Sequence, residues 1–202
     1  MGQNYLPIRN DYLQQAWARS PAVLSACLPA ELKDAALSFQ AFGEECLLTG
    51  GEITLAGVAA NGPEGLLIAL YASVVPDLPV QLNPLKSFKE LPNSMPYQGA
   101  FAANAEQLLA PWVTAVHRQQ ERLAMVFSGH INLDPPSGDF SFTLYPLPRV
   151  PLYYIFHLPD EEFPASVTCL FAANAPVFMP LDGLADVAEY TGKKIIALLS
   201  TN

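Results

Sequence analysis

The chain has 202 residues, of which 51% are hydrophobic and only 14% are charged. A typical soluble domain has roughly 25% charged residues. The low charged fraction of this chain therefore predicts that a partner covers part of its apolar surface. The simplest partner is a second copy of the chain, and we expect a homodimer or a complex with another protein. The net charge of −9, with ten Lys and Arg in total, excludes nucleic-acid binding and membrane binding through a polybasic face.

The remaining composition bears on compartment and on cysteine chemistry. The longest apolar run, Leu66 to Val75, is far shorter than the roughly 20 residues that span a bilayer. The first residues lack the apolar stretch of a signal peptide, and we expect a cytoplasmic protein. The cysteines are odd in number and widely spaced, which excludes a disulfide framework and a self-contained CxxC metal site. We therefore predict three small buried residues at Cys27, Cys46 and Cys169.

The N-terminal portion, residues 1–36, has helical signals. Asn10 or Asp11 can cap a first helix, and Ser20 followed by Pro21 predicts the start of a second. A third helix is predicted from Pro29 through Leu37. After this portion the hydrophobic period changes to that of strands.

The following residues predict a small antiparallel meander from about Leu37 to Leu55. Its turns are expected at Gly43-Glu44 and at Gly50-Gly51, and the second pair is a two-residue hairpin signal because glycine tolerates a positive φ. "NGPEGLLIALYASVV" predicts a buried helix that begins near Gly62. Repeated prolines then predict an extended connection, with a short edge strand between Lys86 and Leu91.

The second half predicts helices followed by strands. A long helical region runs from Gly99 to Phe127 and is divided at Pro111. "SGHINLDPPSGD" predicts a loop, and the aromatic and β-branched content of "FSFTLYPLP", "VPLYYIFHL" and "ASVTCLF" predicts three strands. A closing helix is predicted from Asp182 as N-cap to Gly192 as its end, with a further helical turn after it.

These elements together predict a single α+β domain over residues 1–202. Its antiparallel sheet would combine the hairpin meander with the C-terminal strands, and helices would pack mainly on one face. Within this domain, residues 1–36 form the helical N-terminal portion and residues 37–202 the larger remainder.

The acidic loop in "FHLPDEEFPASVTCLF" is the main candidate site. Asp160, Glu161 and Glu162 repel one another, and a hard cation or a carboxylate with a raised pKa would relieve that repulsion. His157, three residues earlier, could pass a proton to the loop. The alternative is a hydrated turn in which Asp160 bonds the backbone and the glutamates point into water. A metal site would need further ligands, for which the candidates are Asp134, Asp139 and Asp182.

Other residues that could carry chemistry have plainer interpretations. His117 and His130 are far from His157 in sequence, and His117 is predicted to be an interior or boundary histidine. The sequence has no GxSxG, P-loop, GxGxxG or HExxH motif. An aromatic group could line a flat cofactor pocket but more often forms a sheet core, and it comprises Tyr145, Tyr153, Tyr154 and Phe156.

Two stretches resemble a known family. "LPRVPLYYIFHLPDEEFPASVTCLFAANAPVFMPLDGLADVA" and "LLIALYASVVPDLPVQLNPLKSFKELPNSMPYQGAFAANAEQLLAPW" are similar to the domain-of-unknown-function 3786 family of bacteria and archaea. The resemblance covers about Gly50 to Gly192, and "DEEFP" is its most specific element. The chain departs from the pattern at Ala172, where the family would have an acidic residue.

The resemblance implies no established activity. It does imply a setting, since some relatives carry the domain beside a cysteine-rich iron–sulphur segment in corrinoid-related contexts. We therefore hypothesise a non-catalytic binding or adaptor module for a protein partner or for a redox or corrinoid-type cofactor system, with no cofactor identified. The alternative is a metal-dependent or acid/base enzyme that uses the loop residues His157, Asp160, Glu161 and Glu162.

Overall fold

The computed structural model describes residues 5–133 and 137–201. Within these ranges the strands form two antiparallel sheets of five strands each, which together with the helices confirms the α+β class. The strands that were expected to share one sheet are thus divided between two. The first sheet has the sequential order β1-β2-β3-β4-β5, with bounds Glu31–Lys33, Ala36–Ala41, Glu44–Leu48, Ile53–Leu55 and Val58–Ala59. The second has the order β6-β10-β9-β8-β7, with β6 to β10 at Lys86–Ser87, His130–Ile131, Phe140–Leu147, Val150–His157 and Ser166–Phe171.

The N-terminal helices differ in part from the prediction. Helix α1 (Tyr5–Trp17) includes Asn10 and Asp11, so the predicted N-cap at these residues is wrong. The Asn10 Oδ1 instead accepts a hydrogen bond from the Arg9 guanidinium at 2.9 Å. Helix α2 (Pro21–Cys27) is confirmed, and the Ser20 hydroxyl accepts from the N–H of Val23. The predicted third helix is wrong.

That third segment forms the β1–β2 hairpin instead. Asp34 adopts a left-handed φ of 53°, which Asp tolerates better than most residues and which reverses the chain. Leu37 is then buried in register with Leu48 of β3. Burial of this alternating strand face therefore overrides the local helical signals.

The meander from Leu37 to Leu55 is confirmed, but Gly50 and Gly51 in its second turn do not have a positive φ, and its first turn lies one residue before the predicted Gly43-Glu44. Phe42 and Gly43, with φ of 50° and 78°, form its first tight turn. A Cβ on Gly43 would lie 2.7 Å from Val126, so this turn needs glycine both for its φ and for space. The N–H of Phe42 donates to the Pro146 carbonyl at 2.7 Å and joins the two sheets.

The helices in the middle of the chain are partly as predicted. Helix α3 (Pro63–Val74) follows Gly62 as expected. The long helical region is broken into α4 (Gln98–Phe101), a π-helical segment (Ala102–Gln107), α5 (Val113–Arg118) and α6 (Gln120–Val126), so it divides both near Pro111 and at Gln119. The sequence did not predict the π-helical segment or β7, which lies in the expected loop.

The C-terminal helices begin and end at other residues than those predicted. Helix α7 (Ala175–Phe178) precedes α8 (Leu181–Ser200), which begins after Pro180, so Asp182 is not its N-cap. Gly192 does not end α8. The helix continues because Ile195 and Leu199 beyond it are buried in the core.

The second sheet has one apolar and one more polar face. Phe142, Tyr154, Phe156, Cys169 and Phe171 are buried on the apolar face, which meets the π-helical segment and α6. Tyr154 and Phe156 are therefore core residues, as predicted. Because side chains alternate along a strand, the opposite face carries the remaining positions, which include Ser141, Thr143, Tyr153, His157 and Ser166.

Candidate functional site

The hairpin between β9 and β10 owes its shape to Asp160. Its Oδ1 accepts hydrogen bonds from the N–H groups of Phe163 at 2.7 Å and Glu162 at 2.8 Å. Its own N–H donates to the Phe163 carbonyl at 3.0 Å. The bonds from Phe163 and then Glu162 lower the pKa of Asp160, because they stabilise the ionised carboxylate. Asp160 therefore acts as the turn-forming residue that one of the two sequence interpretations predicted.

A second carboxylate fixes the base of this hairpin. Asp139 Oδ2 accepts from the N–H of Leu158 at 2.7 Å, and the Asp139 N–H donates to the Phe156 carbonyl at 2.8 Å. Gly138 before it has a φ of +86°, and a Cβ there would lie 2.8 Å from the Phe156 oxygen. Only glycine allows this close approach, so the segment that enters β8 is held firmly against the end of β9.

His157 and Ser166 form a cross-strand pair above this base. They are directly opposite in the β9–β10 register, and His157 Nδ1 lies 3.3 Å from Ser166 Oγ. Which atom donates depends on the histidine tautomer. The pair places an imidazole and a hydroxyl at the mouth of the hairpin.

These groups line a cleft of about 500 Å³ that we call the hairpin cleft. Leu158, Phe163 and Pro164 contribute apolar walls, and the polar lining comes from Asp139, His157, Asp160 and Ser166. The Phe163 side chain is 67% exposed. Apolar walls with a few polar groups are the usual lining of a binding site.

The predicted site residues are partly brought together. His157 and Asp160 line the hairpin cleft, whereas Glu161 and Glu162 are exposed at the tip of the hairpin and do not line it. Of the additional ligand candidates, Asp139 lies in the cleft and Asp182 lies on α8 beside another groove. Asp134 falls outside the described residues. Among the described residues, no group of three or more His, Cys, Asp and Glu side chains could hold a metal ion.

Sequence reasoning missed four residues of the cleft, which are Leu158, Phe163, Pro164 and Ser166. Ser166 and Phe163 flank the acidic run, and Asp139 was considered only as a metal ligand. Ser166 has no sequence signal, because its role depends on the register with β9. Phe163 did have one, since an aromatic residue between a charged turn and a proline cannot be buried by the strand pattern.

Glu106 supports the apolar side of the sheet. It lies in the π-helical segment, and its Oε1 accepts the N–H of Cys169 at 3.0 Å, beyond the point where pairing with β6 ends at Leu170. Burial raises the pKa of Glu106, while the bond from Cys169 and the charge of Lys89 oppose that rise. Glu106 therefore completes the hydrogen bonding of a sheet edge.

The cysteines are free and buried, as predicted. Burial raises the pKa of the Cys46 thiol to about 12, and it also raises that of Cys169. Thiols with raised pKa values are poor nucleophiles at neutral pH.

The remaining histidines lie apart from the cleft. His117 is on the surface of α5 with its ring 4.6 Å from that of Phe140, and His130 is exposed on β7. His117 is thus an exposed residue whose ring packs against Phe140, and not the predicted interior or boundary histidine.

A second groove of about 170 Å³ lies between the π-helical segment and α8. Asp182, Asp186 and Glu189 line it from α8, and Tyr97 and Asn104 line it from the opposite side. Burial and the neighbouring charges of Glu189 and Asp182 raise the pKa of Asp186. Glu189 already pairs with Lys193 at 2.6 Å. This groove is smaller than the hairpin cleft and has part of its charge compensated.

Comparison with known proteins identifies a family. Residues 20–194 match the family model described as Domain of unknown function (DUF3786). No curated protein and no solved structure matches the chain. Within the described part of the chain, no helix is both long enough and apolar enough to cross a membrane.

Proposed function

The chain belongs to the DUF3786 family, and from this premise we propose that it is a non-catalytic cytoplasmic binding module. Its partner is a protein, and the partner docks at the hairpin cleft. This function follows from the arrangement of the hairpin, in which folding satisfies the backbone but leaves an aromatic side chain in water.

Exposed Phe163 is the observation that carries the proposal. Its side chain is 67% exposed beside a cleft of about 500 Å³. Its backbone N–H donates to Asp160 Oδ1 at 2.7 Å, which fixes the backbone from which the ring projects. A fixed aromatic residue next to a concave surface is typical of the residues that dominate binding energy in protein interfaces.

The preformed shape of the cleft supports the same function. Asp139 and Asp160 bond backbone N–H groups on the two sides of the hairpin. A partner would therefore meet a surface whose ordering cost has already been met by folding, which favours affinity.

A comparative capture experiment tests this proposal. Wild-type protein, Phe163→Ala and Met125→Ala would each be immobilised and exposed to native extract, and the retained proteins quantified by mass spectrometry. Met125 is a matched control, because it is 79% exposed but lies on α6. We expect a partner retained by wild type and Met125→Ala and reduced at least about tenfold with Phe163→Ala. Equal retention by all three proteins would contradict the assignment of the site.

An enzyme is the second candidate function, and the His157–Ser166 pair favours it. The pair shares the cleft with two carboxylates, so His157 could act as a general base. The enzyme function ranks second because the hydrogen bonds to Asp160 lower the pKa of that carboxyl group, whereas a carboxyl group that acts as an acid or base near neutral pH needs a raised pKa. A panel of activated esters, with Ser166→Ala as control, tests it. Hydrolysis that is lost in this variant would favour the enzyme.

We also propose that the protein is a homodimer, as its low charge content predicts. Large apolar residues such as Val58, Met95 and Leu133 are more than half exposed in the single chain. Light scattering at high protein concentration tests this, and a strictly monomeric mass would contradict it.

A further inference from the structure

We infer that the segment bound in the hairpin cleft is basic, with Lys or Arg beside an apolar side chain. This inference rests on the proposed function, since it specifies the chemistry of the partner at the same site. It is carried by the distribution of charge around the cleft and by the apolar walls within it.

The surroundings of the cleft are acidic. Four carboxylates lie in the cleft or on its hairpin: Asp139, Asp160, Glu161 and Glu162. From Leu123 to Gly192 the sequence contains no Lys and only one Arg, Arg149. The chain segments that build this end of the sheet therefore bring acidic side chains with almost no cations.

The one cation in this stretch is occupied elsewhere. Arg149 lies in the turn between β8 and β9, at the opposite end of β9 from His157, and pairs with Asp77 at 2.7 Å. Within the described residues, none of the four carboxylates at the cleft takes part in a salt bridge with Lys, Arg or His. None of these four carboxylates is thus neutralised by a direct ion pair among the described residues.

Backbone hydrogen bonds stabilise the charged form of Asp160. Asp160 accepts two backbone hydrogen bonds through one oxygen, which holds it in the ionised form. Glu161 and Glu162 are exposed to water next to it. Adjacent like charges repel, so a cationic side chain that enters between them gains attraction that an uncharged one does not.

The walls of the cleft suit the rest of such a segment. Leu158, Phe163 and Pro164 offer apolar surface immediately beside the carboxylates. Lys and Arg bury aliphatic stems while their charged ends reach polar groups, and their cations are attracted to aromatic faces such as that of Phe163. A basic peptide therefore matches both features, whereas an acidic peptide would match only the apolar one.

Peptide selection on the intact chain tests the inference. A random peptide display library would be selected on the wild-type protein at low ionic strength, and recovered peptides would be compared for binding to wild type and to Phe163→Ala. We expect peptides that lose binding in Phe163→Ala and share Lys or Arg next to an aromatic or aliphatic residue. Their affinity should fall about threefold to tenfold in the double variant Glu161→Gln with Glu162→Gln. This loss of affinity should be smaller at high salt, because salt screens the charges.

A second double variant separates local charge from net charge. The double variant Glu52→Gln with Glu121→Gln also removes two negative charges, but from exposed positions before β4 of the first sheet and on α6. It should leave the affinity for these peptides unchanged. An equal loss in both double variants would overturn the inference, because the peptides would then sense only the total charge.

The outcomes distinguish the inference from the proposed function. Peptides that depend on Phe163 but are acidic or uncharged would overturn the inference and leave the site standing. Peptides that bind Phe163→Ala as well as wild type, or a library that yields none, would overturn the inference. The capture experiment with Phe163→Ala and Met125→Ala would then decide the proposed function separately.

Discussion

The two ends of strand β9 are built in contrasting ways. At its start, the Arg149 guanidinium donates to the carbonyls of Ala26, Cys27 and Leu78 and pairs with Asp77, and its backbone N–H donates to the Tyr71 hydroxyl. At its end, the hairpin after His157 satisfies its backbone through Asp160 and Asp139 and leaves Phe163 in water. One turn is joined to distant parts of the fold, and the other projects from it.

This contrast separates residues that hold the fold from residues that are free to bind. The partners of Arg149 come from α2, from the segment after α3 and from α3 itself. Those of Asp160 are two and three residues away in sequence. Substitutions at the first turn should therefore destabilise the fold, whereas substitutions at the second should mainly affect binding.

Arg149→Met should have the largest effect on stability. It leaves three carbonyls and the Asp77 carboxylate without their donor in a place where the Arg149 side chain is only 15% exposed. We expect the free energy of unfolding to fall by about 3 kcal/mol in urea titration. Arg118→Met, an exposed change on α5, is the control and should cost less than about 0.5 kcal/mol. Equal values for the two variants would remove the contrast.

Glu106→Ala should have the next largest effect, because it leaves the Cys169 N–H without an acceptor. We expect a loss of about 1–2 kcal/mol in the free energy of unfolding. Glu106→Gln retains an acceptor and should be at least as stable as wild type at pH 7. A glutamine variant as unstable as the alanine variant would show that the hydrogen bond is not what Glu106 contributes.

The pH dependence of Glu106 follows from the direction of its pKa shift. Burial raises its pKa in the folded state, so the folded protein holds this proton more tightly than the unfolded chain does. The stabilisation from the protonated Glu106 carboxyl group is complete when the pH is below its unfolded pKa of about 4.3. It is lost as the pH rises through the folded pKa. Relative to wild type, Glu106→Gln should therefore gain stability as pH rises from about 4 to 7, and a constant difference would contradict this account.

Asp160→Ala should have a smaller and more local effect. Loss of the carboxylate frees the N–H groups of Glu162 and Phe163, so their amide hydrogen exchange should accelerate while exchange in β8 stays unchanged. Asp160→Asn keeps an acceptor and should remain closer to wild type. In wild type the contribution of Asp160 is present above its unfolded pKa of about 3.9 and is lost as pH falls through its lower folded value. Faster exchange throughout the second sheet would contradict a local role.

Phe163→Ala should have the smallest effect on stability of all. Its side chain is already 67% exposed, so truncation removes little buried area and should change the free energy of unfolding by less than about 0.5 kcal/mol. A loss comparable to that of Arg149→Met would show that Phe163 holds the fold.

The same contrast explains which features the sequence could predict. Three of the five strands of the second sheet (β8, β9 and β10) and the Gly50-Gly51 turn follow from local composition, and so does the turn role of Asp160, whose partners are its neighbours. The role of Arg149 could not be predicted, because its partners are 71 to 123 residues away. Gly192 was misread for a related reason, since tertiary burial of Ile195 and Leu199 continues the helix past it.

Hydrogen–deuterium exchange of the wild-type protein, with and without a selected basic peptide, tests the central claim most directly. The account predicts that bound peptide slows exchange in the hairpin from Leu158 to Ser166 and at Asp139. Exchange in the second groove, between the π-helical segment and α8, should stay unchanged. Protection centred on Asp182, Asp186 and Glu189, or protection absent from the hairpin while the peptide is bound, would contradict it.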